Sequence, residues 1–341
     1  MLSPHQLFDR RRAIYLAAFA AALFLLVPQL VGAQDILFLA QTARREFLAL
    51  ALLGELTRYW VSAASTLVLA RIFGRRVPFV AMTQAFFVGA AANRTFSTGG
   101  APGMLVRLVF LTRQGVSAGS VAVIYVIEDI AGLVIGSFVF AIGVVALINT
   151  QPSTLVRNIT LTTALGSAAL IAGCVYLMKS RRPVERGTHW LAARANRLGE
   201  KIFHRALATP TQVQRTLDDF YAGLTLARRA PLAVAAAFGL NVVRHAAGIA
   251  ALYFTFAALD HAIAPGVLIL IYTSANILST TSAVPGEVAM LGGGFALLFL
   301  SFGVAPDVAL LALLLSRAIA FWLPLPVGYL AFWNLRRRAY L

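Results

Sequence analysis

The 341-residue chain is 60% hydrophobic and 12% charged, against roughly 45–50% and ~25% for soluble globular proteins, which excludes a soluble domain and a disordered tail. Lys and Arg outnumber Asp and Glu 29 to 13, a net charge of +16; in so apolar a chain this excess marks cytoplasmic loops rather than a nucleic-acid partner. The single cysteine, Cys174, excludes an internal disulfide and any multi-cysteine metal site, and the five histidines are scattered, so no cofactor is expected.

Arg10, Arg11 and Arg12 precede an apolar run from Ala13 to Val31. At 19 residues it is longer than a signal-peptide core and is read as a retained first span. Full spans follow at 47–70, 117–148, 155–178, 231–259 and 307–333, giving six. Two other apolar stretches are interrupted. Residues 79–112 contain Asn93, Arg94, Gly99, Gly100, Pro102 and Gly103. Residues 262–303 contain Asn276, Pro285, Gly286 and Gly292-Gly293-Gly294. Irregular backbone cannot face lipid, because its N–H and C=O groups would have no partners. Both stretches are therefore expected to be re-entrant helical hairpins.

The basic residues test this arrangement. With the N-terminus inside, 21 of the 29 fall in cytoplasmic segments and only Arg44, Arg45 and Arg157 fall outside. The other five, Arg58, Arg94, Arg107, Arg244 and Arg317, lie within apolar segments. That bias predicts a multi-pass inner-membrane protein with both termini cytoplasmic.

The order span, hairpin, span occurs twice, in opposite orientation: 47–70, 79–112 and 117–148, then 231–259, 262–303 and 307–333. Ala101-Pro102-Gly103 matches Val284-Pro285-Gly286, and Gly115-Val116 matches Gly303-Val304. The expected fold is all-α and polytopic, with two inverted-topology repeats and a binding site between them near the midplane. Residues 1–178 form the N-terminal half, 179–230 a basic linker and 231–341 the C-terminal half. In the linker, Trp190, Leu191, Leu198 and Ile202, then Val213, Leu217, Phe220 and Leu224, recur at helical spacing. Two amphipathic helices on the inner leaflet, touching anionic headgroups, would account for this, as would an ordinary solvated connector.

Charges inside apolar segments are costly and tend to be paired or functional. They are Glu55, Arg58, Arg94, Arg107, Glu128, Asp129, Arg244, Glu287 and Arg317. Five bases against four acids suit a wet cavity that holds an anion such as a phosphate, or cross-helix pairs. Glu55 and Arg58, at i and i+3, can pair on their own helix. Glu128 lies on the face of Gly132 and Gly136, and Arg317 is its expected partner in the other half, as a gate, a headgroup contact or a staple. Arg107 follows Pro102-Gly103, which would open a half-helix whose N–H groups attract phosphate. Asn93 and Arg94 approach that turn. Ser282, Pro285, Gly286 and Glu287 form the corresponding approach in the second half. Asp129 and His245 complete the gating or pairing candidates, His245 as a proton relay or a hydrogen-bonded interior histidine. No nucleophile elbow, His-Glu-x-x-His or nucleotide motif is present, so no enzyme activity is expected.

Asn93-Arg94, Gly99-Gly100-Ala101-Pro102-Gly103, Arg107, Gly115 and Glu128, with Pro285-Gly286, Gly303-Val304, Arg317 and Phe321-Trp322-Leu323-Pro324, resemble the two signatures of the flippase-like membrane domain of lysylphosphatidylglycerol synthases. The likeness runs from about 13 to 335. It implies movement of a polar-headed lipid between leaflets, with membrane lipids as partners and a homo-oligomer compatible. The chain departs from the family pattern in two places. Glu287 stands where a second glycine is usual, with Gly292 in place of a glutamate, and Met104 replaces an acidic residue three before Arg107. No aminoacyl-transferase domain follows, so synthesis of lysyl lipid is not expected.

Overall fold

The computed structural model describes residues 41, 43–96, 100–147, 154–203, 209–281 and 298–341. The expected first span at 13–31 and the second turn with Ser282, Pro285, Gly286 and Glu287 lie outside them. Among the described residues all regular structure is helical. The helices are α1 (Arg45–Ile72), α2 (Phe79–Phe96), α3 (Ala101–Arg113), α4 (Ala118–Ala146), α5 (Thr154–Lys179) and α6 (Arg181–Phe203). After them come α7 (Pro210–Arg228), α8 (Pro231–Ala257), α9 (Pro265–Thr281), α10 (Pro306–Arg317), a π-helical turn (Ala318–Trp322) and α11 (Pro324–Arg337).

Three described helices are long and apolar enough to cross a membrane: α4, α8 and the run Pro306–Arg337. A fourth candidate is the α5–α6 pair, bent by 99°. Helix α1 is outside that set, although its 28 residues would reach about 42 Å; Glu55 and Arg58 interrupt its apolar run.

Small residues bring the main helices together. The α1 and α8 helices run antiparallel, tied at one end by the Arg44 N–H donating to the Ala258 carbonyl at 2.8 Å. A Cβ on Gly54 would stand 2.9 Å from both the Ala247 carbonyl oxygen and the Ala251 Cβ, the close backbone approach that packs helices in lipid. Helix α2 packs along α11, where a Cβ on Gly328 would lie 2.5 Å from the Phe87 carbonyl oxygen and the Ala91 Cβ. Helix α4 packs along α9, with Gly143 against Ile269 and Leu270 and Gly266 against Ala146.

Helices α2 and α3 form an antiparallel hairpin that closes at Gly100, whose φ of 85° suits glycine. Asn93 Oδ1 accepts from the Gly103 N–H at 2.6 Å, and Gly89 lies against the Gly103 backbone. At the open end, Gly115 lies against the Arg75 guanidinium.

Two apolar clusters mark the opposite ends of α4. The first joins Phe73, Val77, Val116, Leu224, Leu335 and Tyr340. It gathers the connections after α1 and α3, helix α7 and the C-terminus. The second joins Leu147, Leu259, Ile263, Phe302 and Val304.

The linker differs from the expected pair of surface helices. Helix α7 starts with a capping box between Thr209 and Gln212 and buries Leu217, Gly223, Leu224 and Ala227. Gly223 faces Phe73 and Val123, and Gly119 of α4 lies against the Thr216 carbonyl and the Phe220 backbone nitrogen. Its apolar stripe is thus consumed by the bundle.

Candidate functional site

The site is centred where the middle parts of α1, α4 and α8 meet. In α4, each Glu128 oxygen is occupied. Arg107 of α3 donates to Oε2 at 2.5 Å and Thr66 of α1 donates to Oε1 at 2.5 Å. Arg107 also donates to Thr66 Oγ1 at 3.1 Å. Its guanidinium lies over the rings of Phe86 and Tyr125, at 4.2 and 4.6 Å from their centres. Tyr125 is held in turn by donating its hydroxyl to the Met104 carbonyl at 2.7 Å. The Arg107 and Glu128 side chains retain only 14% and 13% exposure, so water screens this pair little.

Next to the pair lies a cavity of about 260 Å³. Ser62 and Ser65 of α1, Glu128, Asp129 and Gly132 of α4, Asn241, Arg244 and His245 of α8 and Asn276 of α9 supply its polar lining. Arg107 and Glu128 cancel each other. Arg244 and Asp129 have no hydrogen-bond or ion-pair partner among the described residues. The Arg244 guanidinium lies 2.9 Å from where a Cβ on Gly132 would be, so that glycine gives it room. His245 is buried; its Nε2 lies 3.4 Å from the Gly132 carbonyl oxygen, and its Nδ1 is buried with no partner among the described residues. The Ser65 hydroxyl is likewise buried with no partner among the described residues. Polar atoms left unsatisfied around a cavity are the usual mark of a place where water or a polar ligand completes the bonding.

The described sequence-predicted residues separate into four groups, with Arg317 apart from them. Arg107, Glu128, Asp129, Arg244 and His245 converge on the cavity. Glu55 and Arg58 pair with each other at 2.8 and 3.0 Å on the neighbouring stretch of α1, and Arg58 lies over the Tyr272 ring. Asn93, Pro102 and Gly103 build the α2–α3 turn instead of lining the cavity, and Asn93 occupies one of the N–H groups expected to be free for a ligand. Arg94 is turned to the backbone, donating to the Ala90 carbonyl at 3.0 Å and to the Ala320 carbonyl in the π-helical turn.

The expected Glu128–Arg317 pair is not the one formed. Arg107 and Thr66 take both Glu128 oxygens, and Arg317 sits in the last turn of α10. The physical reason is proximity: the short α2–α3 hairpin returns alongside α4 and brings Arg107 to Glu128. Thr66, Ser62, Ser65 and Asn241 were not singled out in the sequence. Their signal was present, since Ser62 and Thr66 are one turn apart on one face of α1, and Asn241 is one turn before Arg244 and His245. Among the described residues no group of three or more His, Cys, Asp or Glu could hold a metal ion.

The family model for the lysylphosphatidylglycerol synthase TM region matches residues 13–328. The chain belongs to this family. No curated protein matches it. The matched stretch of this lysylphosphatidylglycerol synthase TM region includes every residue that lines the cavity.

Proposed function

We propose that this protein moves a lipid with a phosphate-bearing polar headgroup between the leaflets of the inner membrane. The observation that carries the reading is Arg244: a guanidinium with no acceptor among the described residues, at mid-helix, in a cavity walled by both halves of the chain. A phosphate would complete its bonding through two parallel N–H···O contacts. Ser65, His245, Asn241 and Asn276 would supply neutral partners. The acyl chains would remain in lipid while the headgroup passes through the cavity. Membership of the family supports a lipid substrate. The chain acts as a transporter, not an enzyme, in this reading.

Alternating access would follow from two inverted repeats, each with a re-entrant hairpin. The helix pairing supports them. Exchanging the halves in order carries α1 to α8, α2 to α9 and α4 to α10–α11. The α2–α11 contact then becomes the α9–α4 contact, and α1–α8 maps onto itself. A cytoplasmic C-terminus is supported by Arg336–Arg338 lying at the same end of the bundle as Arg71, Arg75, Arg76 and Arg113.

The test is leaflet assignment of labelled phospholipids in vesicles reconstituted with the purified protein, alongside uptake of soluble organic anions. Lipid movement above that of protein-free vesicles supports the reading. Anion uptake without lipid movement replaces it with a secondary transporter of small anions. Neither activity, across several lipid and anion classes, points to a membrane scaffold and overturns it.

A further inference from the structure

Helix α6 is not used by the transport reading, and its surface is unusually one-sided. Arg182, Arg186, Trp190, Arg194 and Arg197 are all exposed and recur at three- and four-residue spacing, so they share one side of the helix. Between Arg182 and Arg197 the one acid, Glu185, lies off this side, and Glu200 follows beyond its end. Two nearby acids are bonded by Arg181, Glu185 at 2.6 Å and Asp218 of α7 at 2.5 Å. Trp190 is 61% exposed, with the Arg194 guanidinium 5.8 Å from its ring centre. The direction of α6 matters as much as its charge. Helix α5 exposes Leu161, Leu165, Val175 and Tyr176, an outward apolar surface suited to lipid. The chain then turns by 99° into α6. If α5 lies along the membrane normal, α6 runs nearly parallel to the membrane surface. It would then begin at the end of α5, at the depth of the lipid headgroups.

We infer that the exposed stripe of α6 is a docking surface for anionic phospholipid headgroups, with Trp190 seated at the boundary of headgroup and acyl chain. Four guanidiniums with no interspersed acid match a negatively charged bilayer surface. Arginine forks bind phosphate oxygens, and an exposed tryptophan is the side chain that favours this interface. The inference is independent of whether the cavity carries a lipid.

The test places a nitroxide at Ala193, on the same side of the helix, in the full chain with Cys174→Ser. The protein is reconstituted in nanodiscs of phosphatidylcholine, with or without about one third phosphatidylglycerol, and collision with oxygen and with a water-soluble nickel chelate is measured. Phosphatidylglycerol should raise oxygen contact and lower nickel contact. Each arginine should contribute about fivefold to the ratio of docked to undocked helix. Changing Arg182, Arg186, Arg194 and Arg197 together to Gln should abolish the response, and changing all four to Lys should restore most of it. Equal nickel contact in both nanodiscs overturns the inference, as does a response that survives the four Gln changes. Protection by transfer RNA in place of phosphatidylglycerol would also overturn it, by assigning the stripe to nucleic acid.

Discussion

Replacing Glu128 with Gln removes one charge while leaving an oxygen for Thr66 to bond at the position where it now lies 2.5 Å away. The shape of the site is kept, so the change isolates the ion pair. Arg107 would be left between Phe86 and Tyr125 with its charge unmatched. Breaking a buried pair from one side costs about 3–5 kcal/mol. Because the cavity lets some water reach the orphaned guanidinium, we place Glu128→Gln near the low end, about 3 kcal/mol. Arg107→Met should cost a similar amount, because its apolar stem still fills the space between the rings while Glu128 loses its counter-ion. The double variant should lose much less than the sum, about 1–2 kcal/mol in total, since two neutral side chains of similar shape replace the pair. Unfolding curves in mixed detergent micelles, followed by tryptophan fluorescence, give all four stabilities. Two single variants within about 0.5 kcal/mol of the parent would refute the buried-pair reasoning, and so would losses that simply add in the double variant.

Three further outcomes probe the frame around the site. Asn93→Ala frees the Gly103 N–H and should cost about 1 kcal/mol, seen as faster hydrogen exchange at the start of α3. Gly328→Ala drives a methyl group into the Phe87 carbonyl and Ala91, which are backbone and Cβ atoms that cannot rotate away; it should destabilise the α2–α11 contact by about 1–3 kcal/mol in the same unfolding assay. Gly100→Ala meets no atom within 4 Å, yet should still cost about 1 kcal/mol because its φ of 85° is strained for an L side chain.

Much of the architecture was legible because hydrophobicity and punctuation are local signals. The Gly100-Ala101-Pro102-Gly103 break marks the hairpin turn, and the apolar runs around Glu128 and Arg244 became α4 and α8. The partner of each charge was less legible. Glu128 and Arg317 occupy equivalent places in the two halves, but equivalence under a repeat does not make two residues neighbours. Arg107, carried back beside α4 by its own hairpin, is closer. Helix α7 shows the same limit. Its apolar stripe of Leu217 and Leu224 reads equally well as a membrane-facing or protein-facing side, and only the close approach at Gly119 and Gly223 decides for protein. The small polar lining of Ser62, Ser65 and Thr66 was obscure because such residues in apolar helices commonly bond only their own backbone, as Ser62 does by donating to the Arg58 carbonyl at 2.7 Å.

The transport account depends most on Arg244, and the rate of labelled phospholipid movement in reconstituted vesicles tests it directly. Arg244→Gln should reduce that rate at least tenfold, with Arg244→Lys retaining an intermediate rate through its charge and Arg94→Gln, outside the cavity, retaining most activity per folded molecule. Equal rates for the parent and Arg244→Gln, at matched amounts of folded protein, would contradict the account.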